Sequence, residues 1–164
     1  MTNTKRIVRA GLLTCIALII FVVEMQIPLP VSVPGMKLGL ANIVTVYAVY
    51  VLSVKETALI LTARLILGAV FSGNISALLF SASGGFMCLT AMLILSRFID
   101  KKHIWLCSMF GAVFHNLGQI IAAAAVTGTL SVFAYLPLLT VFGCIAGLFT
   151  GICAQTAVNR TEKN

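Results

Sequence analysis

Apolar residues follow one another along most of this chain, with no polar face at helical spacing and no apolar–polar alternation. A helix that is apolar all round sits in a large core or in lipid, whereas a lipid-facing barrel strand alternates. The runs predict six helices, at about 7–27, 38–53, 56–72, 75–97, 104–127 and 132–157. Crossing roughly 30 Å of hydrocarbon takes about 20 apolar residues, so the second and third are short. Lys55-Glu56 marks a polar turn between them, and a single helix over 38–72 would be too long for one crossing. The first run follows Lys5, Arg6 and Arg9 as in a signal peptide. It is long, however, and ends in Glu-Met-Gln-Ile-Pro instead of a small-x-small cleavage site, which predicts an uncleaved first helix. Residues 28–36, Pro-Leu-Pro-Val-Ser-Val-Pro-Gly-Met, predict a stiff, extended connection.

Composition makes lipid the solvent. Of 164 residues 60% are hydrophobic and 9% charged, against roughly 25% charged in a soluble domain. The surface of a soluble globule cannot be covered by so few charges, and no length remains for a separate soluble domain. Five cysteines, Cys15, Cys88, Cys107, Cys144 and Cys153, lie in or beside apolar runs without CxxC or Cys/His spacing. They read as small buried hydrophobes, with no disulfide framework and no metal site.

Net charge is +7, from 11 Lys+Arg against 4 Asp+Glu. With the N-terminus in the cytoplasm, the inner segments hold Lys5, Arg6, Arg9, Lys55, Arg97, Lys101, Lys102, Arg160 and Lys163, and the outer ones only Lys37. By the positive-inside rule this predicts six spans with both termini cytoplasmic. The fold class is thus an all-α membrane bundle forming one domain over 1–164, multi-pass in a bacterial cytoplasmic membrane.

Polar groups inside apolar runs cost several kcal/mol unless paired or hydrated, so each is a candidate for function. Glu24 lies near the outer end of the first helix, Lys37 opens the second, and Asn42 follows one turn deeper. Arg64 sits midway along the third, and His115, Asn116 and Gln119 midway along the fifth. Their depths describe a polar path from outside to mid-membrane, which suits an outward binding pocket better than a channel. Lys37 and Arg64 favour an anionic or amphipathic ligand; His115 and Gln119 would donate hydrogen bonds. Gly111, His115, Gly118, Gln119 and Ala122 form a small, polar stripe, and Ser81, Ser83, Gly84 and Gly85 form either another or a local break. There is no GxxxxGK[ST], so no P-loop ATP site. Asp100 is the sole aspartate, so the acidic clusters that hold magnesium and diphosphate in prenyl diphosphate synthases are missing. Neither a Ser-His-acid nor a Cys-His arrangement is supported. A non-enzyme without cofactor is expected.

The run Pro34-Gly35-Met36-Lys37-Leu38-Gly39-Leu40-Ala41-Asn42, after a first helix ending in Glu24 and Pro28, resembles a signature of the Gx transporter family, also labelled heptaprenyl diphosphate synthase component I. Gly111-Ala112-Val113-Phe114-His115-Asn116-Leu117-Gly118-Gln119 resembles its second signature. That family is similar to the substrate-binding S components of energy-coupling factor (ECF) transporters. The resemblance implies a six-helix subunit that captures a vitamin or related nutrient from outside, with the loop between helices one and two as part of a lid. It also implies docking on a transmembrane coupling protein and two ATPases. S components dock through a small-xxx-small pattern in helix one, usually with two alanines; the nearest here are Ala10-x-x-x-Thr14 and Gly11-x-x-x-Cys15. The family's second label suggests an isoprenoid or quinone precursor as cargo. It also suggests an alternative, a non-catalytic membrane accessory subunit of a prenyl diphosphate synthase. A third reading is a stand-alone secondary carrier, with His115 and Glu24 relaying protons.

Overall fold

The computed structural model describes residues 3–27, 37, 39–73 and 75–163. Its helices are α1 (Asn3–Glu24), α2 (Asn42–Val51), α3 (Val54–Ser72), α4 (Ile75–Leu95), α5 (Ile104–Thr127) and α6 (Leu136–Lys163). Short 3-10 turns, Lys101–His103 and Leu130–Tyr135, precede α5 and α6. No strand occurs among the described residues. The proline-rich connection at 28–36 lies outside them.

Four segments are long and apolar enough to cross a membrane: Thr4–Glu24, Leu78–Leu95, Lys101–Thr127 and Leu130–Lys163. The 19-residue α3 carries Lys55, Glu56 and Arg64. The 10-residue α2 spans about 15 Å at 1.5 Å per residue, half a crossing.

The second helix therefore corrects the expected 38–53. It starts four residues later because the backbone turns first: Gly39 is left-handed at φ +81°, and Asn42 N–H and Ile43 N–H donate back to the Gly39 and Leu40 carbonyls. The third helix begins at Val54 rather than 56, because Ser53 and Glu56 form a capping box. The sixth starts at Leu136 rather than 132, with Pro137 in its first turn, where a missing N–H costs nothing. It runs on to Lys163, past the expected 157. Hydropathy marks where lipid ends, and this helix extends beyond it.

α5 is the central helix, packed between α4 and α6. Small residues set both crossings. A Cβ on Gly118 would stand 2.7 Å from the Ser83 carbonyl oxygen and 2.9 Å from Gly84 Cα, so α4 and α5 touch backbone to backbone. Ser83 Oγ donates to the Gly118 carbonyl there (2.7 Å). α4 stays helical through Ser81–Gly85, so this stripe marks a close crossing and no break. On the other side, Gly147 would carry its Cβ 2.7 Å from Met109 Cα. In contrast α1 lies at the edge, against α2 and α3, with Ile7, Val8, Leu12, Ile19 and Val23 exposed. Such a face suits lipid.

Ion pairs identify one end of the bundle. Arg6 Nε lies 3.7 Å from Glu56 Oε1, Lys101 Nζ lies 2.6 Å from Glu162 Oε1, and Gln155 Oε1 accepts from Ile104 N–H (2.8 Å). The start of α1, the α2–α3 turn, the start of α5 and the end of α6 thus share one face. α2 rises from this polar end into the bundle and stops halfway.

Candidate functional site

The buried start of α2 gathers most of the polar residues singled out by their depth. Glu24, at the end of α1 and 4% exposed, turns both carboxylate oxygens to the backbone before α2. Oε1 accepts from Gly39 N–H at 2.5 Å and Oε2 from Ala41 N–H at 3.4 Å. A helix leaves its first N–H groups without partners, and an anion there is favoured by the helix dipole. In this chain the anion comes from another helix and is held just ahead of α2, by the N–H groups of Gly39 and Ala41. Non-helical backbone at membrane depth survives only where protein or a cavity satisfies it, and Glu24 does so for the turn at 39–41.

Gly39 fits this place for two reasons. Its positive φ disfavours any side chain, and a Cβ would stand 2.8 Å from Asn42 Nδ2 and 3.0 Å from His115 Cδ2. The turn is thereby pressed onto α5 at His115, which lies about 17 Å along that helix. One turn further, Gln119 Oε1 accepts from Lys37 N–H (3.3 Å), and Gln119 Nε2 lies 3.0 Å from His115 Nε2. With the Gln119 amide donating, His115 Nε2 is the acceptor and Nδ1 carries the proton.

Several atoms of this cluster have no hydrogen-bond partner among the described residues: Lys37 Nζ, both side-chain atoms of Asn42, Arg64 Nε and His115 Nδ1. Asn42, Arg64 and His115 are 5%, 4% and 2% exposed. Leaving a buried donor or acceptor unmatched costs about 1–3 kcal/mol, so five such atoms in one place are a concentrated expense. Lys37 Nζ does lie 3.5 Å from the centroid of the Phe21 ring, a cation–π contact. Phe21 also borders, with Arg64, Leu65, Leu78 and Ser81, a void of about 10 Å³, room for roughly one water.

The structure thus brings Glu24, Lys37, Asn42, His115 and Gln119 together, with Arg64 lining the same small void as Phe21. Asn116 is different. Its Nδ2 donates to the Leu139 carbonyl of α6 (2.6 Å), on the face of α5 turned from His115, so it ties α5 to α6. The residues considered for docking also divide. Thr14 is buried and donates to the Ala10 carbonyl (2.8 Å), and Ala10 packs beside Ala17, Val44 and Ile60. Gly11 and Cys15 are exposed on the outer face of α1. Phe21 and Gly39 were not singled out by sequence. Gly39 carried a signal, a glycine at the start of an apolar run; Phe21 carried none.

The larger hollows lie elsewhere; one of about 310 Å³ at the polar end is lined by Tyr50, Ser96, Arg97, Asp100 and Lys101, and others are apolar. A groove of about 460 Å³ on the outer side of α4 and α5 is lined by Phe86, Met87, Thr90, Ala91, Ile94, Leu95, Phe110 and Phe114. It has no polar group placed to orient a ligand, and its lining suits acyl chains. Among the described residues no group of three or more His, Cys, Asp or Glu could hold a metal ion.

Comparison with curated proteins and with solved structures returns no match for the chain. A family model, described as heptaprenyl diphosphate synthase component I, matches residues 13–157. That span takes in α2 to α5, the second half of α1, most of α6, the turn held by Glu24 and the α5 polar stripe, and the chain belongs to the heptaprenyl diphosphate synthase component I family.

Proposed function

We propose that this membrane component is the substrate-capture subunit of an uptake system of the ECF type. It binds a small molecule and works with a transmembrane coupling protein and two ATPases. One observation carries the proposal: polar side chains converge on the start of a half-length helix, and five of their buried atoms lack partners among the described residues. Half-helices whose termini face a polar centre at membrane depth are how many carriers hold their cargo. A fold that needed only stability would replace such groups with apolar ones at little cost.

The bundle crosses the membrane with both termini cytoplasmic. The shared polar end holds Arg6, Lys55, Lys101 and Arg160, which the positive-inside rule assigns to the cytoplasm. The buried start of α2 then opens toward the exterior. Ligand entry displaces part of the present packing, because the void beside Arg64 is far smaller than the roughly 300 Å³ of ordinary ligand sites. Exposed Gly11 and Cys15 are the part of the α1 small-residue pattern available to a coupling protein. The protein acts by binding, without catalysis; cargo candidates are isoprenoid or quinone precursors and vitamins.

The family's description favours a second reading, an accessory subunit of a prenyl diphosphate synthase. Affinity purification from the native membrane separates the two. Recovery of a coupling protein and its ATPases is the expected result. A stable complex with a prenyl synthase, and no coupling protein, would overturn the capture function.

A further inference from the structure

The chain has only four acidic side chains: Glu24, Glu56, Asp100 and Glu162. Glu56 caps α3 at Ser53 and faces Arg6. Glu162 pairs with Lys101, and Asp100 precedes the 3-10 turn that leads into α5. Those three lie at the polar end of the bundle. The deep cluster therefore has one carboxylate, Glu24, for two cations, Lys37 and Arg64. No ion pair closes on either cation among the described residues. Glu24 already gives both oxygens to the backbone of Gly39 and Ala41. The cluster holds an excess positive charge within a low-dielectric surround, and the Phe21 ring offsets only part of it. Asn42 and His115, both with side-chain atoms unmatched among the described residues, pack against Gly39 of the same turn, and Leu65, Ala69 and Leu78 line the void next to Arg64.

Resting on the capture function, we propose that the cargo is an amphipathic acid: a molecule with one anionic group, carboxylate or phosphate monoester, on an apolar body. The anion supplies the missing negative charge between Lys37 and Arg64. Neutral Asn42 and His115 take its remaining oxygens, and the apolar body lies against the Phe21 and Leu65 side. Cations are excluded by like charge, and neutral analogues leave the excess charge uncompensated.

The full chain is reconstituted in phosphatidylcholine nanodiscs, and its thermal unfolding is followed with decanoate, decyl phosphate, decanamide, decanol and decylamine. A ligand that binds only the folded state raises the midpoint. Decanoate or decyl phosphate is expected to raise it, with the matching amide or alcohol at least about tenfold weaker, since a hydrogen bond to a charged group contributes about 1.5–3 kcal/mol, and decylamine inactive. Lys37→Gln should abolish the discrimination, whereas Arg64→Lys, which keeps the charge, should retain it. The proposal falls if no acid shifts the midpoint, if the neutral partners do as well as the acids, or if Lys37→Gln still discriminates. A further arm replaces phosphatidylcholine with phosphatidylglycerol. A midpoint rise there without added acid, lost in Lys37→Gln, keeps the anion preference but assigns it to a lipid headgroup, and the capture function fails instead.

Discussion

The two ends of α2 are built on opposite rules. Toward its C-terminus, Val46 packs into a dry cluster with Cys88, Met92, Ile104, Cys107, Ala154 and Val158. Apart from the Tyr50 hydroxyl, no buried side-chain nitrogen or oxygen in this cluster lacks a partner among the described residues. Four residues before Val46, about 6 Å along the helix, Asn42 is just as buried, yet neither of its side-chain polar atoms is matched among the described residues. Burial alone does not separate the ends; the state of the polar atoms does. The dry end holds the helix by apolar packing, and the polar end leaves buried polar atoms unmatched among the described residues.

That contrast can be attacked from either end, and Glu24 is the severest place to start. Glu24→Ala removes the carboxylate that caps the turn and leaves two backbone N–H groups and two cations uncompensated. A loss of about 3–5 kcal/mol is expected in denaturant unfolding of the reconstituted protein. If the loss were small, the turn would not depend on α1. At the dry end, Met92→Ala should cost about 2–4 kcal/mol, because it leaves a cavity among closely packed, mainly apolar side chains. Gly118→Ala tests the backbone contact between α4 and α5. Its Cβ would meet the Ser83 carbonyl and Gly84, so a cost of about 1–3 kcal/mol in the same measurement is expected from overpacking.

Asn42→Leu sharpens the comparison most, because its sign is opposite. Replacing an unmatched buried amide by an apolar side chain should leave stability unchanged or raise it by about 1 kcal/mol. Ligand stabilisation should disappear at the same time. A destabilised variant would mean that Asn42 holds the fold, and the functional account of the polar end would lose its support. Gly11→Ala serves as the mild control. Nothing lies within 4 Å of the added Cβ, so a gain of up to about 1 kcal/mol from helix propensity is expected.

Much of the fold was legible because lipid imposes a simple demand. Continuous apolar runs located every helix, and the expected limits of the fifth, 104–127, coincide with α5. The start of α2 was not legible. Leu38, Gly39, Leu40 and Ala41 are as apolar as the helix that follows, and hydropathy has no means of sensing a carboxylate brought from α1. The Ser53–Glu56 capping box and Pro137 were visible signals that hydropathy overrode. Shared depth grouped Glu24, Lys37, Asn42, His115 and Gln119, and the fold places these five side chains near one another. Depth failed for Asn116, because neighbours in a helix differ by about 100° in direction while sharing a depth. Phe21 escaped because an aromatic ring in an apolar run carries no mark of the cation above it.

The cap supplied by Glu24 also constrains how the protein can be made. During membrane insertion, α2 emerges as a segment too short to partition into the bilayer by its own hydrophobicity. The docking point for its turn is the last residue of α1, which has already left the ribosome. The order of synthesis thus puts the receiving carboxylate ahead of the short segment it holds in the folded chain.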